Sequence, residues 1–142
     1  MTQYYYSDRL VKAEDIESNF VKGCIVAFVG VDESYSTTST APAWMGDAVL
    51  IDCDKLGIAG KRVKMVYSCY LYNNTSGETT YSDAWLGNNS VQVSVTSTSG
   101  TNVSGESDVF TCPTGINTLG HRLWVSGGTG YLRRSTVAIV LV

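Results

Sequence analysis

The chain has 142 residues, enough for one domain with a core of its own. Its formal charge is -3 and only 16% of its residues are charged, against roughly 25% in ordinary soluble domains. That balance argues against a nucleic-acid partner, which needs a basic footprint for phosphates, and against an anionic membrane surface.

Residues 1–23 read as an N-terminal arm or a short helix. Ser7 is placed to cap a helix from Asp8 to Lys22, with Gly23 as its stop. Leu10, Ala13 and Phe20 give only a partial helical period, so an extended arm led by Tyr4, Tyr5 and Tyr6 is the alternative. Three successive tyrosines are too large and apolar to be left in water; they are expected to pack on the domain or on a neighbouring copy. The start lacks a basic segment followed by an apolar run, and the run Val137–Val142 is too short to span a bilayer. Synthesis in a reducing host cytoplasm is therefore expected.

Residues 24–142 change to the two-residue period of β-structure. Cys24 to Gly30 predicts a buried strand, Asp32 to Ala43 a polar loop, and Ala48 to Asp52 a strand entered through Trp44-Met45-Gly46. Lys55 to Gly60 reads as a turn. Lys61 to Tyr72 predicts a long strand, with Val63, Met65, Tyr67, Cys69 and Leu71 on its core face. Asn73 to Gly77 turns the chain back into a strand from Thr79 to Leu86, and Ser90 to Thr96 alternates with Val91, Val93 and Val95 on one face. A Ser/Thr/Gly-rich hairpin follows, then a strand from Asp108 to Cys112, broken by Pro113. The last two strands run from Leu119 to Ser126 and from Tyr131 to Val142, joined by Gly127 to Gly130.

Two features point to assembly. From Met65 to His121 there is no Lys or Arg, although charges, Lys above all, are the usual guard on sheet edges. In the closing strand Val137, Ile139 and Leu141 oppose Ala138, Val140 and Val142, so both faces are apolar. Such a strand must lie centrally in the sandwich or beneath another subunit.

Chemistry-bearing constellations are few. The single histidine, His121, has no nucleophile elbow to serve and reads as structural. Cys24, Cys53, Cys69 and Cys112 contain no Cys-x-x-Cys knuckle, so buried free thiols are expected, with spatial pairing left open. Asp47, Asp52 and Asp54 lack EF-hand spacing, and no cofactor or metal is expected. Asparagines 73, 74, 88 and 102 open Asn-x-Ser/Thr sequons and read as turn chemistry. Sugar binding calls for flat rings flanked by polar side chains. Trp85, beside Asp83 and the turn at Asn88, fits that requirement, as does Trp44 after its loop.

The order from Leu56 onward resembles jelly-roll domains of the carbohydrate-binding-module and galactose-binding-like type. The likeness lies in the step Gly60-Lys61-Arg62-Val63-Lys64-Met65-Val66-Tyr67, in Phe110-Thr111-Cys112-Pro113, and in the closing strand Ser135 to Val142. Arg133-Arg134-Ser135 stands where such modules often place an aspartate, which puts a calcium site there in doubt. The small size and Ser/Thr/Gly texture are also similar to phage capsid-decoration proteins and fibre head domains. The sequence therefore predicts an all-β, antiparallel jelly-roll-like sandwich that is not an enzyme. The expected role is in a virion, as a bacteriophage decoration, cement or fibre component. Its expected partners are copies of itself, as a trimer, and a major capsid or other virion protein. Tyr4, Tyr5, Tyr6, Ala138, Val140 and Val142 are the expected interface residues. A glycan-binding module using Trp85, Asp83, Asn88 and Trp44 is the alternative.

Overall fold

A computed structural model describes residues 25–142. The expected arm or helix over residues 1–23, with Tyr4, Tyr5, Tyr6 and also Cys24, lies outside the described residues. Nine strands follow in order: β1 (Ile25–Thr37), β2 (Ala43–Asp52), β3 (Arg62–Asn73), β4 (Thr80–Leu86), β5 (Asn89–Val95), β6 (Thr101–Glu106), β7 (Phe110–Thr111), β8 (Ile116–Val125) and β9 (Gly130–Leu141). Among the described residues no helix is long and apolar enough to cross a membrane.

The strands form two antiparallel sheets. One has the order β1-β9-β3-β6, with the short β7 also on β3; the other has the order β2-β8-β4-β5. Pairing is nested: β1 with β9, β2 with β8, β3 with β6, and β4 with β5. A ribbon of nested antiparallel pairs folded over itself is a jelly roll, the architecture the sequence pattern predicts.

The alternation read in β3 is realised. Val63, Met65, Tyr67, Cys69 and Leu71 are all buried, facing Ala84, Leu86, Val91, Val93, Leu119 and Leu123 of the other sheet. One polar chain crosses this apolar layer: Tyr67 donates to Ser82 Oγ at 2.8 Å, and Ser82 donates to the Arg122 carbonyl at 2.8 Å. Burial pushes the Tyr67 phenol far above its ordinary range, so it stays a donor at any working pH. At the sheet's end Asn73 is also buried. Its Oδ1 accepts from Thr75 N at 2.9 Å, a local turn bond, and its Nδ2 donates across the sandwich to Thr80 Oγ1 at 3.1 Å and to the Gly127 carbonyl at 3.0 Å.

Several boundaries differ from the sequence reading. β8 starts at Ile116 rather than Leu119, and β7 is only Phe110–Thr111. The strand expected to be buried before Gly30 is an edge strand with Ile25 and Phe28 exposed. The polar stretch after Asp32 is strand as far as Thr37, because Ser34, Tyr35 and Ser36 pair with Arg133, Leu132 and Tyr131 of β9. Trp44 already lies within β2, whose irregularity between Met45 and Val49 accommodates Gly46 at a φ of 59°. The Ser/Thr/Gly-rich hairpin contains β6, which pairs with β3 from Leu71↔Thr101 to Val66↔Glu106. Composition hid β6 because its inward positions are only half-buried and one is Gly105. A Cβ on Gly105 would stand 3.0 Å from Val93 Cγ1, so the missing side chain lets β5 approach.

The closing strand is enclosed by its own sheet. β9 is hydrogen-bonded to β1 on one side and to β3 on the other. Val137, Ile139 and Leu141 point into the core; on the outer face Ala138 is buried, Val140 half-buried and Val142 exposed. The two apolar faces of β9 thus reflect a central strand. Ile139→Ala is expected to cost about 3 kcal/mol in urea unfolding and Val140→Ala under about 1.5 kcal/mol. Equal losses would contradict this assignment of faces.

Candidate functional site

The outer face of the β2-β8-β4-β5 sheet carries the densest constellation in the described residues. Arg122 on β8 stands directly opposite Trp44 of β2 on one side and Asp83 of β4 on the other. Its Nε donates to Asp83 Oδ1 at 3.0 Å and its Nη2 to Oδ2 at 2.5 Å, a bidentate pair. Asp83 is nearly covered, with 4% of its side chain exposed against 23% for Arg122. The carboxylate's hydrogen bonds push the Arg122 guanidinium above its ordinary range, so it remains a fixed cation.

Three indole rings surround that cation. Arg122 Cζ lies 4.8 Å from the Trp85 ring centroid, 5.4 Å from that of Trp44 and 5.7 Å from that of Trp124. Trp124 stacks on its cross-strand partner Tyr81, with centroids 5.4 Å apart and planes 11° from parallel. Gly120 makes the packing possible: a Cβ there would meet Trp44 Cζ3 at 3.1 Å. Trp44 is the outermost ring and is well exposed, whereas Trp85 and Trp124 are half-buried. The buried Trp85 Nε1 has no hydrogen-bond partner.

The structure therefore brings together Trp44, Asp83 and Trp85 of the expected sugar site, but in a different arrangement. Asp83 and Trp85 sit within a strand on the sheet face, not at a loop mouth, and both oxygens of Asp83 are engaged by Arg122. Asn88 lies in the tight β4–β5 turn after Gly87, whose φ of 58° is the conformation a II′ hairpin requires of its first turn residue. Arg122 and Trp124 complete the cluster, and neither was an expected site residue. The available signal was that Arg122 and Trp124 share one parity of the strand while Leu123 and Val125 share the other.

His121, the neighbour of Arg122, points to the opposite side. It is buried, its ring meets Tyr35 edge-on with centroids 5.8 Å apart, and its Nε2 has no partner. Val29, Val49, Leu119, Ser135 and Val137 line the small cavity beside it. Burial lowers its pKa below 6.5, while the charges of Asp83 and Glu33 pull the other way. Among the described residues no group of His, Cys, Asp or Glu is arranged to hold a metal ion.

Exposed apolar side chains lie on the outer faces of both sheets: Ile25 and Phe28 share a face with Val140 and Ala138 in one, and Trp44 and Leu50 share a face with Arg122 and Thr118 in the other. Ile25 and Phe28 on β1, Trp44 and Leu50 on β2, and Ile116 at the start of β8 are 59%, 62%, 63%, 68% and 65% exposed. Leu50 pairs with Thr118 and Asp52 with Ile116, so Leu50 and Ile116 extend the line begun by Trp44 along β2. β1 and β2 are edge strands of their respective sheets.

No family model matches the chain, and no curated protein matches it. Among solved structures, the fold is similar to chains in the structures of two strains of infectious bursal disease virus. The Gt strain gives a TM-score of 0.52 at 12% identity and the Gx strain 0.51 at 9%, each match covering 81% of this chain. A chain of that virus's VP2 subviral particle matches with a TM-score of 0.50 at 8% identity over 81% of this chain. The matched region spans about a third of each of those chains (32%, 32% and 33%). At such identities the likeness is one of fold.

The pH dependence of stability follows from His121. The folded chain favours the neutral ring, while the unfolded chain takes up a proton below about 6.5. The unfolded state then binds more protons, so stability falls as the pH drops through that value. The urea midpoint is expected to decline between about pH 7.5 and 5.5, and His121→Gln to flatten the decline. An unchanged slope in the variant would contradict the assignment.

Proposed function

We propose that this protein is a non-enzymatic structural component of a virus particle and works by contact with copies of itself and with another virion protein. The observation that carries this reading is a pair of exposed apolar strips along the edge strands, Ile25 and Phe28 on the outer face of β1, and Trp44 and Leu50, continued by Ile116 of β8, on the outer face of β2. Apolar groups repeated along one strand face, rather than scattered singly, mark a surface that a partner covers. Edge strands add unpaired backbone groups to that attraction. The jelly roll shared with chains of infectious bursal disease virus supports the setting, since this architecture recurs in shells built from repeated subunits. Within that setting we place the chain as a bacteriophage decoration, cement or fibre component, assembled as a trimer beside a major capsid protein. The weakly charged Ser/Thr/Gly-rich surface supports this placement.

A second reading is favoured by the ring cluster. Trp44, with Trp85, Trp124, Tyr81 and the fixed guanidinium of Arg122, offers flat apolar faces beside a hydrogen-bond donor, the chemistry that recognises a pyranose. This face would act as a glycan-binding or receptor-binding tip. The two readings share Trp44, so they separate in experiment.

In sedimentation velocity at micromolar concentration the full chain is expected to run as a closed oligomer, and Leu50→Lys to shift it to monomer without loss of fold. A wild-type monomer under those conditions would contradict the assembly reading. On a glycan array the second reading expects binding that Trp44→Ala reduces at least about tenfold, the scale of one lost aromatic contact. Binding indifferent to every tryptophan would contradict it.

A further inference from the structure

Cys53 and Cys112 lie at one end of the sandwich, each just past the end of a strand. Cys53 follows β2 and Cys112 follows β7. The two segments are stitched together: Gly60 N donates to the Cys112 carbonyl at 2.8 Å, Cys112 N to the Lys61 carbonyl at 2.8 Å, and Cys53 N to the Gly115 carbonyl at 2.9 Å. Ile58 and Ala59 in turn both donate to the Cys53 carbonyl at 3.1 Å, which fixes the turn that carries this cysteine. Both thiols are free and buried in the same core cluster.

We propose that Cys53 and Cys112 form a latent intramolecular disulfide that closes when the protein meets an oxidising medium containing a small-molecule disulfide such as oxidised glutathione. In the first step one cysteine thiolate attacks the glutathione disulfide, forming a mixed disulfide and displacing one glutathione thiolate. In the second step the other cysteine thiolate attacks the protein-side sulfur and displaces the second glutathione thiolate. The two cysteines are oxidised by two electrons, the glutathione disulfide is reduced to two thiols, and the two protons given up by the cysteines end on those thiols.

The surroundings assign the roles. Asn117 Nδ2 points at Cys53 Sγ from 3.7 Å and is itself anchored on the Thr114 carbonyl at 3.0 Å, so a fixed N–H donor stands ready to solvate a thiolate at Cys53. Cys112 lies beside Cys53, and burial followed by that neighbour pushes the Cys112 thiol up to about 12. Because Cys53 and Cys112 are 0% and 1% exposed, the first exchange takes place when this end of the sandwich opens locally; Cys53, beside the Asn117 donor, attacks, and Cys112 resolves the mixed disulfide as the resident neighbour. Cys69 provides an internal control: it sits in the middle of β3 beside Tyr67, pushed up to about 12 by burial. The closed bond would tie the β2–β3 turn to the β7–β8 connection, two segments far apart in sequence, so its main effect is on the unfolded chain. None of this depends on the virion reading.

The test is peptide mapping of the full wild-type chain, incubated folded in glutathione redox buffers of increasing oxidising poise and quenched with an alkylating reagent. The expected product is a monomer containing a peptide pair that joins Cys53 to Cys112, about 2 Da lighter than the two thiol peptides, with Cys69 alkylated. The melting temperature should rise by about 10 °C on oxidation, and Cys53→Ser should abolish the rise. Recovery of Cys53 and Cys112 as separately alkylated peptides at the most oxidising poise would overturn the proposal. So would their capture by Cys24, by Cys69 or by glutathione as the stable end product.

Discussion

The fold rests on the placement of the last strand. β9 is hydrogen-bonded to β1 from Val140 to Gly130 and to β3 from Leu141 to Gly130, so the C-terminal segment of the chain supplies the middle of a sheet whose other strands come from its beginning and centre. Without β9, β1 has no partner in that sheet and the inward side chains of β3 lose Leu132, Val137 and Ile139 from their layer. Such long-range pairing costs loop-closure entropy before it returns contact energy, which places the chain among slow-folding β topologies. The same nesting makes β1 and β2 edge strands, and on these edges apolar side chains remain in contact with water.

This geometry changes what the two clues read from the sequence mean. The doubly apolar closing strand was compatible with burial beneath another subunit or in the centre of the sandwich; the structure places it in the centre. Exposed apolar side chains lie on the edge strands β1 and β2, where Phe28 and Leu50 point outward, and the proposed assembly covers them. The stretch free of Lys and Arg supplies the opposite edges, β5 and β6, where Ser90, Gln92 and Ser94, and Asn102, Ser104 and Glu106, take the outward positions. In the proposed assembly the apolar contribution comes from β1 and β2.

What was legible followed from period. β3 and β5 alternate strongly, and their inward faces were readable because Val63, Met65, Tyr67, Cys69 and Leu71, and Val91, Val93 and Val95, are apolar; the buried Thr80 and Ser82 of β4 gave no such signal. The second half of β1 and all of β6 were hidden, since Ser, Thr and Gly at half-exposed edge positions look like loop. The candidate site was half legible. Trp44, Asp83 and Trp85 stood out as residue types, but their common neighbour Arg122 did not, because cross-strand register decides which three strands meet at one point. Likewise the approach of Cys53 and Cys112 depends on a turn and a two-residue strand that leave no periodic signature. Local pattern carries strand identity; partners at long separation come only from the fold.

The central claim is that the β1 and β2 edges are finished by a second molecule, whereas β9 is finished by its own chain. Hydrogen–deuterium exchange at several protein concentrations tests it most directly. Amides of β1 and β2 are expected to gain protection as concentration rises through the assembly range, while those of β9 stay protected throughout. Protection of β1 and β2 that is equally strong in dilute monomer would contradict the account.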